Sequence, residues 1–258
     1  MKEILFFEIK ENIRSRWIFL YAGLLAIALI LLSFFGDQNG IRLVVSLMNL
    51  ILIVVPLFSI TFSGLSFLES MPFAEVLLTK SVTRSELFFG KYLGILVSLI
   101  IGLLAGVGIP GLFILYSHLF VYIQIIIFGI LLSSIFVSIS FLIASLFRRG
   151  EIVLTASLLV WFYFFIFFDA LIFIFSMYLG DYPIEIPSLI IVMLNPIDLI
   201  RILIILQTSS SALLGFSGAI LMETFGIGGV VSISISFILA WILIPIYVAY
   251  RRFLNLNF

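Results

Sequence analysis

ESMPFAEVLLTKSVTRSELFFGKYLG, residues Glu69–Gly94, is the one long polar interruption in the first two-thirds of a very apolar chain. It carries six charges, Glu69, Glu75, Lys80, Arg84, Glu86 and Lys91. It also carries helix punctuation. Pro72 suits the first turn of a short helix, and Glu75 sits near the positive end of that helix. Lys80-Ser81 breaks the run. Thr83-Arg84-Ser85-Glu86 has capping-box spacing, and Val82 and Leu87 occupy the two positions of a hydrophobic staple. The pattern predicts two helices meeting at a fixed corner, the second continuing into the membrane. An ordinary well-capped loop would show the same signals. The functional alternative is a rigid lever on which a partner can push.

The 258 residues are 64% hydrophobic and 10% charged, far below the roughly 25% charge of a soluble domain. The fold class expected is all-α and polytopic. With no cysteine there is no disulfide, thiolate metal site or Cys nucleophile, and a single histidine, His118, cannot build a histidine metal centre within one chain. No metal site is expected. Residues 1–16 mix both charge signs and lack a cleavage site downstream, so no cleavable signal peptide is expected.

Outward from the connector, the chain divides into six spans. Residues 1–16 form an interfacial helix, with Ile4, Phe6 or Phe7, Ile9 and Ile13 toward one side and Lys2, Glu3, Lys10, Glu11 and Arg14 toward the other. Trp17–Phe35 is the first span, close to the ~20 residues a bilayer needs. The second runs from Leu43 to Phe67 with Pro56 as a kink. The third, Phe88–Tyr116, has small residues every fourth position: Gly94, Ser98, Gly102 and Gly106, with Pro110 next. Such a stripe lets helices approach closely, within the subunit or across a dimer. The fourth span is Val121–Phe147. The fifth, Ile152–Leu179, holds Asp169 roughly 26 Å from its start, near the far interface.

Residues 180–229 form an outer region. Asn195-Pro196-Ile197-Asp198 is a helix start: Asn as cap, Pro first, an acid in the first turn. The helix to Gln207 and a second one, Ala212–Phe225, are each too short to span, so they read as a re-entrant or interfacial hairpin. Asp198 and Arg201, three apart, can pair. The sixth span, Val230–Tyr250, carries another small stripe, Gly228, Ser232, Ser236 and Ala240. The whole of 1–258 thus reads as one transmembrane domain with a connector at 69–91.

With the N-terminus inside, eleven of the thirteen basic residues are inside, and Arg42 and Arg201 alone are outside. The positive-inside rule therefore puts both termini in the cytoplasm. If the hairpin made one full crossing, Arg251 and Arg252 would end outside.

No Walker motif, nucleophile elbow, metal-ligand spacing or carboxylate pair occurs. A membrane enzyme or ion-coupled carrier lacks its catalytic or midplane charges here. A shaped lever without an energy source needs an engine on another chain.

The amphipathic start ending Ile13-Arg14-Ser15-Arg16-Trp17, the six spans, the connector LLTKSVTRSELFFGKYLG (Leu77–Gly94) and the outer hairpin resemble the permease of six-span ABC exporters. More narrowly, VGIP (Val107–Pro110), LVWFYFFIFFDAL (Leu159–Leu171), DYPIE (Asp181–Glu185), LNPIDLIRILIIL (Leu194–Leu206) and SALLGFSGAI (Ser211–Ile220) resemble Nos-type permeases. One departure is Ser81, where related connectors often have proline. The resemblance implies a non-catalytic subunit of the bacterial inner membrane, with ATP and magnesium held on cytoplasmic ABC ATPase partners. It also implies a second copy of the chain and a periplasmic copper-handling protein serving nitrous oxide reductase maturation. No nucleic-acid partner is expected. The ATPase-coupling residues would be Arg14, Arg16, Glu69, Glu75, Lys80, Arg84 and Glu86. The outer partner would dock at Asn195, Pro196, Asp198 and Arg201. Met177, Met193 and Met222 make no recognisable copper-ligand spacing, so conformational transmission fits the residues better than copper passage. The alternative is an exporter of a lipid, drug or other apolar cargo.

The orientation is testable. Cysteines replacing Ser81 and Ser188 should be labelled by an impermeant maleimide from opposite sides of the membrane. Labelling of both from outside intact cells would exclude the six-span arrangement.

Overall fold

The computed structural model describes residues 2–35, 40–72, 82–168, 170–171, 174, 177, 193–207 and 215–255, without the side chains of 40–41, 207, 215–225 and 227. Glu75, Lys80, Asp169 and the 180–192 part of the outer loop lie outside them. The described elements are all helical. They are α1 (Lys2–Arg14), α2 (Arg16–Phe35), α3 (Gly40–Glu69), α4 (Arg84–Leu103), α5 (Ile109–Ile114), α6 (Leu119–Leu146), α7 (Gly150–Phe162), α8 (Pro196–Gln207) and α9 (Gly215–Leu254). Wider π-helical turns, Leu104–Gly108 and Tyr163–Phe167, join α4 to α5 and extend α7. Among the described residues, six stretches are long and apolar enough to cross a membrane: Arg16–Phe35, Arg42–Glu69, Arg84–Ile114, Tyr116–Leu146, Gly150–Phe167 and Gly228–Leu254. The protein is an all-α polytopic membrane protein.

The fourth span is the centre of the bundle. Within its most apolar window 72% of residues are buried, against 22%, 17% and 28% in the first, fifth and sixth spans, which therefore carry most of the exposed surface of the single chain's spans. Phe67, Phe88, Phe141 and Phe253 form a ring cluster that ties α3, α4, α6 and α9 together at one end.

The small stripe on the third span is used within the subunit. α1 and α2 run along it. A Cβ on Gly94 would stand 2.5 Å from the Cβ of Glu8, and one on Gly106 would stand 2.6 Å from the Ala22 carbonyl oxygen. Only glycine permits either approach. Ser98, between them, donates its hydroxyl back to the Gly94 carbonyl at 2.8 Å. The stripe of the sixth span behaves differently: Gly228, Ser232 and Ser236 are exposed on the single chain.

The interfacial helix α1 also packs on α4, and it does so through polar side chains that the apolar pattern does not mark. Phe6 and Phe7 are exposed, and Glu8 and Asn12 are the residues fully turned inward. The reason is an ion pair: Lys91 donates to Glu8 at 3.1 Å, with the two residues 4% and 6% exposed. Asn12 accepts from Ser66 of α3 at 3.3 Å. The outward phenylalanines suit a helix lying in the lipid interface.

Two irregularities follow from proline. Pro110 lacks an N–H, and the helix before it widens into the π turn, where the Tyr122 hydroxyl lies 2.7 Å and 2.6 Å from the carbonyl oxygens of Val107 and Gly108. Pro56 lies inside α3, and Trp161 of α7 donates to the Ile53 carbonyl at 3.2 Å, one turn earlier. A third irregularity is Gly226, with φ 65° and ψ 171°. It breaks α9 into a short arm and the sixth span, at the place where the sequence puts the end of the second short helix.

Removing one partner of a buried pair costs about 3–5 kcal/mol, while replacing both by apolar residues is often neutral. Lys91→Met should accordingly lower stability far more than Lys91→Met combined with Glu8→Leu. Unfolding in detergent micelles measures both. Equal losses would show that the pair does not hold α1.

Candidate coupling site

The corner predicted at Thr83 is formed. The Glu86 N–H donates to Thr83 Oγ1 at 3.3 Å, and Glu86 Oε2 accepts from the Thr83 N–H at 3.3 Å and from its hydroxyl at 2.9 Å. Both halves of the capping box are therefore present. Thr83 has extended backbone, so the chain turns sharply into α4.

The sequence did not reveal where that corner is anchored. Arg84 donates from its guanidinium to the main-chain carbonyl of Leu254, at the end of α9. The hydroxyls of Ser85 and Tyr250 are 2.6 Å apart and hydrogen-bonded. Phe88 and Phe89 stack beside Tyr250 at ring-centroid distances of 5.5 Å and 5.2 Å. The entrance of the third span is thus clasped to the exit of the sixth, 165 to 170 residues away in the chain. One signal was available: Tyr250 directly precedes Arg251-Arg252, an aromatic residue at an interface where polar partners can be reached.

The remaining coupling residues gather at the same end of the bundle by topology. Glu69 closes α3, Arg14 closes α1 and Arg16 opens α2. All three are exposed. Arg148 and Arg149 between α6 and α7, and Arg251 and Arg252 on α9, are exposed at that end too. The result is a largely basic face built around the clasp.

Residues 72–257, most of the chain, match the family described as ABC-2 family transporter protein. The chain belongs to this family. It is a multi-pass membrane component of an ABC transporter, of the kind whose ATPase is a partner. No curated protein sequence matches the chain.

At the opposite end of this permease, Asn195 is completely buried and has three tasks. Its Oδ1 accepts from the Ile197 N–H at 3.0 Å, capping α8. Its Nδ2 donates to the Phe164 carbonyl at 2.9 Å, inside the π turn of the fifth span. The same nitrogen donates to Asp198 Oδ2 at 2.7 Å. Asp198, itself 5% exposed, pairs through Oδ1 with Arg201 at 2.9 Å. Pro196 follows the cap and is buried. Of the four outer residues only Arg201 retains partial exposure. α8 packs its Ile197, Ile200 and Leu203 inward, against α6 and α9.

The two caps should respond unequally. Thr83→Ala removes an exposed cap worth about 1 kcal/mol. Asn195→Ala removes a cap and also leaves the buried Phe164 carbonyl unpaired, adding roughly 1–3 kcal/mol. Thermal unfolding of the purified permease should rank Asn195→Ala well below Thr83→Ala. The opposite order would mean that water reaches Phe164.

Proposed function

We propose that this ABC-2 permease is of the Nos type. Two copies, with two cytoplasmic ATPases, would carry ATPase-driven movement across the inner membrane to a periplasmic copper-handling protein that serves nitrous oxide reductase. The Nos-type part rests on the outer motifs, Asp181–Glu185 and Leu194–Leu206 above all. The transmission part rests chiefly on the clasp of Arg84 and Ser85 to Leu254 and Tyr250. A push on the connector reaches two spans at once, the third directly and the sixth through the clasp. α9, which holds the sixth span, packs against α8, and α8 is tied through Asn195 to the fifth. Packed elements of this kind move as rigid bodies. The basic inner face, the termini on that side and the excess of inner basic residues agree with a cytoplasmic ATPase. The exposed Gly228–Ser232–Ser236 stripe offers a second copy a surface of close approach. In this reading Arg201, the part-exposed end of the buried network, is what the outer partner would meet.

Two double variants separate docking from transmission. Arg84→Ala with Glu86→Ala should insert normally but lose ATPase on co-purification or uncouple its hydrolysis. Ser85→Ala with Tyr250→Phe leaves the exposed corner in place, so the ATPase should stay bound while copper loading of the reductase falls. Normal loading in both would overturn the lever. Loss of a transported apolar cargo, with the reductase unaffected, would select the exporter alternative.

A further inference from the structure

At the connector end a cavity of about 970 Å³ lies between α1, the start of α2, the second half of α3 and the first turns of α7. That is the upper end of the ~300–1,000 Å³ range of small-ligand sites. Its wall has two zones. One is charged: Lys10, Glu11 and Arg14 of α1 with Glu69 of α3, all exposed. The other is apolar, with Leu57 and Leu65 of α3 facing Leu154 and Leu158 of α7. Glu8 also borders the cavity, but its charge is met by Lys91. The charged zone therefore offers two cations and two anions, a balance that suits a zwitterion better than an anion. Asn12, which is buried on the same wall, has a side-chain nitrogen without a hydrogen-bond partner.

We propose that this cavity holds one zwitterionic phospholipid of the adjoining leaflet, of the phosphatidylethanolamine type. Its phosphate faces Lys10 and Arg14, its ammonium faces Glu11 and Glu69, and its acyl chains run along the leucines of α3 and α7. The depth is right for this. α1 presents Phe6 outward, and the half-exposed Phe7 and Trp17 line the same cavity, so the charged zone lies at headgroup level and the apolar zone below it. A water-soluble zwitterion would leave the leucine wall wet. The lipid satisfies both zones, and its place between α1 and α7 links the interfacial helix to the fifth span. The inference holds whichever cargo or partner the transporter serves.

Native mass spectrometry of the full-length permease with its ATPase, after exchange into detergent with dioleoyl-phosphatidylethanolamine or dioleoyl-phosphatidylglycerol, tests it. Retention of the ethanolamine lipid, one per chain, is expected, with phosphatidylglycerol retained about tenfold less. Glu11→Gln with Glu69→Gln should erase that preference. Leu158→Trp, at a residue 41% exposed, should fill the cavity and lower retention of both lipids without changing the melting temperature. Equal retention of the two lipids by the unaltered chain, or retention untouched by both variants, overturns the proposal. So does a disulfide between copies through Leu158→Cys in ethanolamine-lipid nanodiscs with no lipid retained, because a second copy would then cover the cavity.

Discussion

Hydrocarbon supplies no hydrogen bonds, so every break in a spanning helix must be repaired by the protein itself. Three of the breaks in this permease are answered by side chains. The π turn before Pro110 is met by Tyr122, the π turn of the fifth span by Asn195, and the turn before Pro56 by Trp161. Ser140 donates to the Ile60 carbonyl at 2.5 Å across the α3–α6 contact. Each repair comes from a different helix than the one it repairs. The cost of irregular backbone is thereby converted into specific ties between spans, and those ties fix the packing order of the bundle.

The largest clusters of ties lie at the two ends, and the contact of the first span with the third between them is organised otherwise. The clasp of Arg84 and Ser85 lies at one end, and the network of Asn195, Asp198 and Arg201 at the other. Between them the first and third spans meet at small residues: the Ala22 backbone approaches Gly106, and Tyr21 and Ile18 sit on Gly102. Such an interface resists separation, because the backbones touch, yet offers few directional bonds against sliding. A bundle built this way can shift whole helices while its ends keep their partners.

The spans, their order and the capping box at Thr83 were legible from the sequence, because hydrophobic runs and cap spacing are local signals. The Asp198–Arg201 pair and the break at Gly226 were legible for the same reason. The ties that matter most were not. Arg84 to Leu254 and Lys91 to Glu8 join residues 170 and 83 apart, and no local pattern announces them. Glu8 was hidden in a second way: the interfacial reading puts Phe6 or Phe7 on the membrane side and assigns no protein partner to a carboxylate of that helix. Here the exposed side of α1 is lipid, so the phenylalanines stay out and the charged pair goes in. Phe164 gave no hint of its tie, since a main-chain carbonyl is the same in every residue.

That buried pair bears on how α1 takes part in coupling. A helix held only by an apolar face on the interface could float along the membrane with little cost. α1 instead carries a carboxylate that has lost its water and has one cation to meet it, Lys91, seven residues past Arg84 on the same helix. Separating the two would strand a charge of each sign in a dry contact, which is dearer than any exposed pair. Gly94, one turn further along, brings the backbones close enough that Glu8 has no room to swing aside. α1 must therefore follow α4 whenever the connector moves α4. The clasp makes α9 follow as well. Force applied at one corner is then shared by three helices that are remote in sequence, and the ion pair and the clasp are what make them a single moving part.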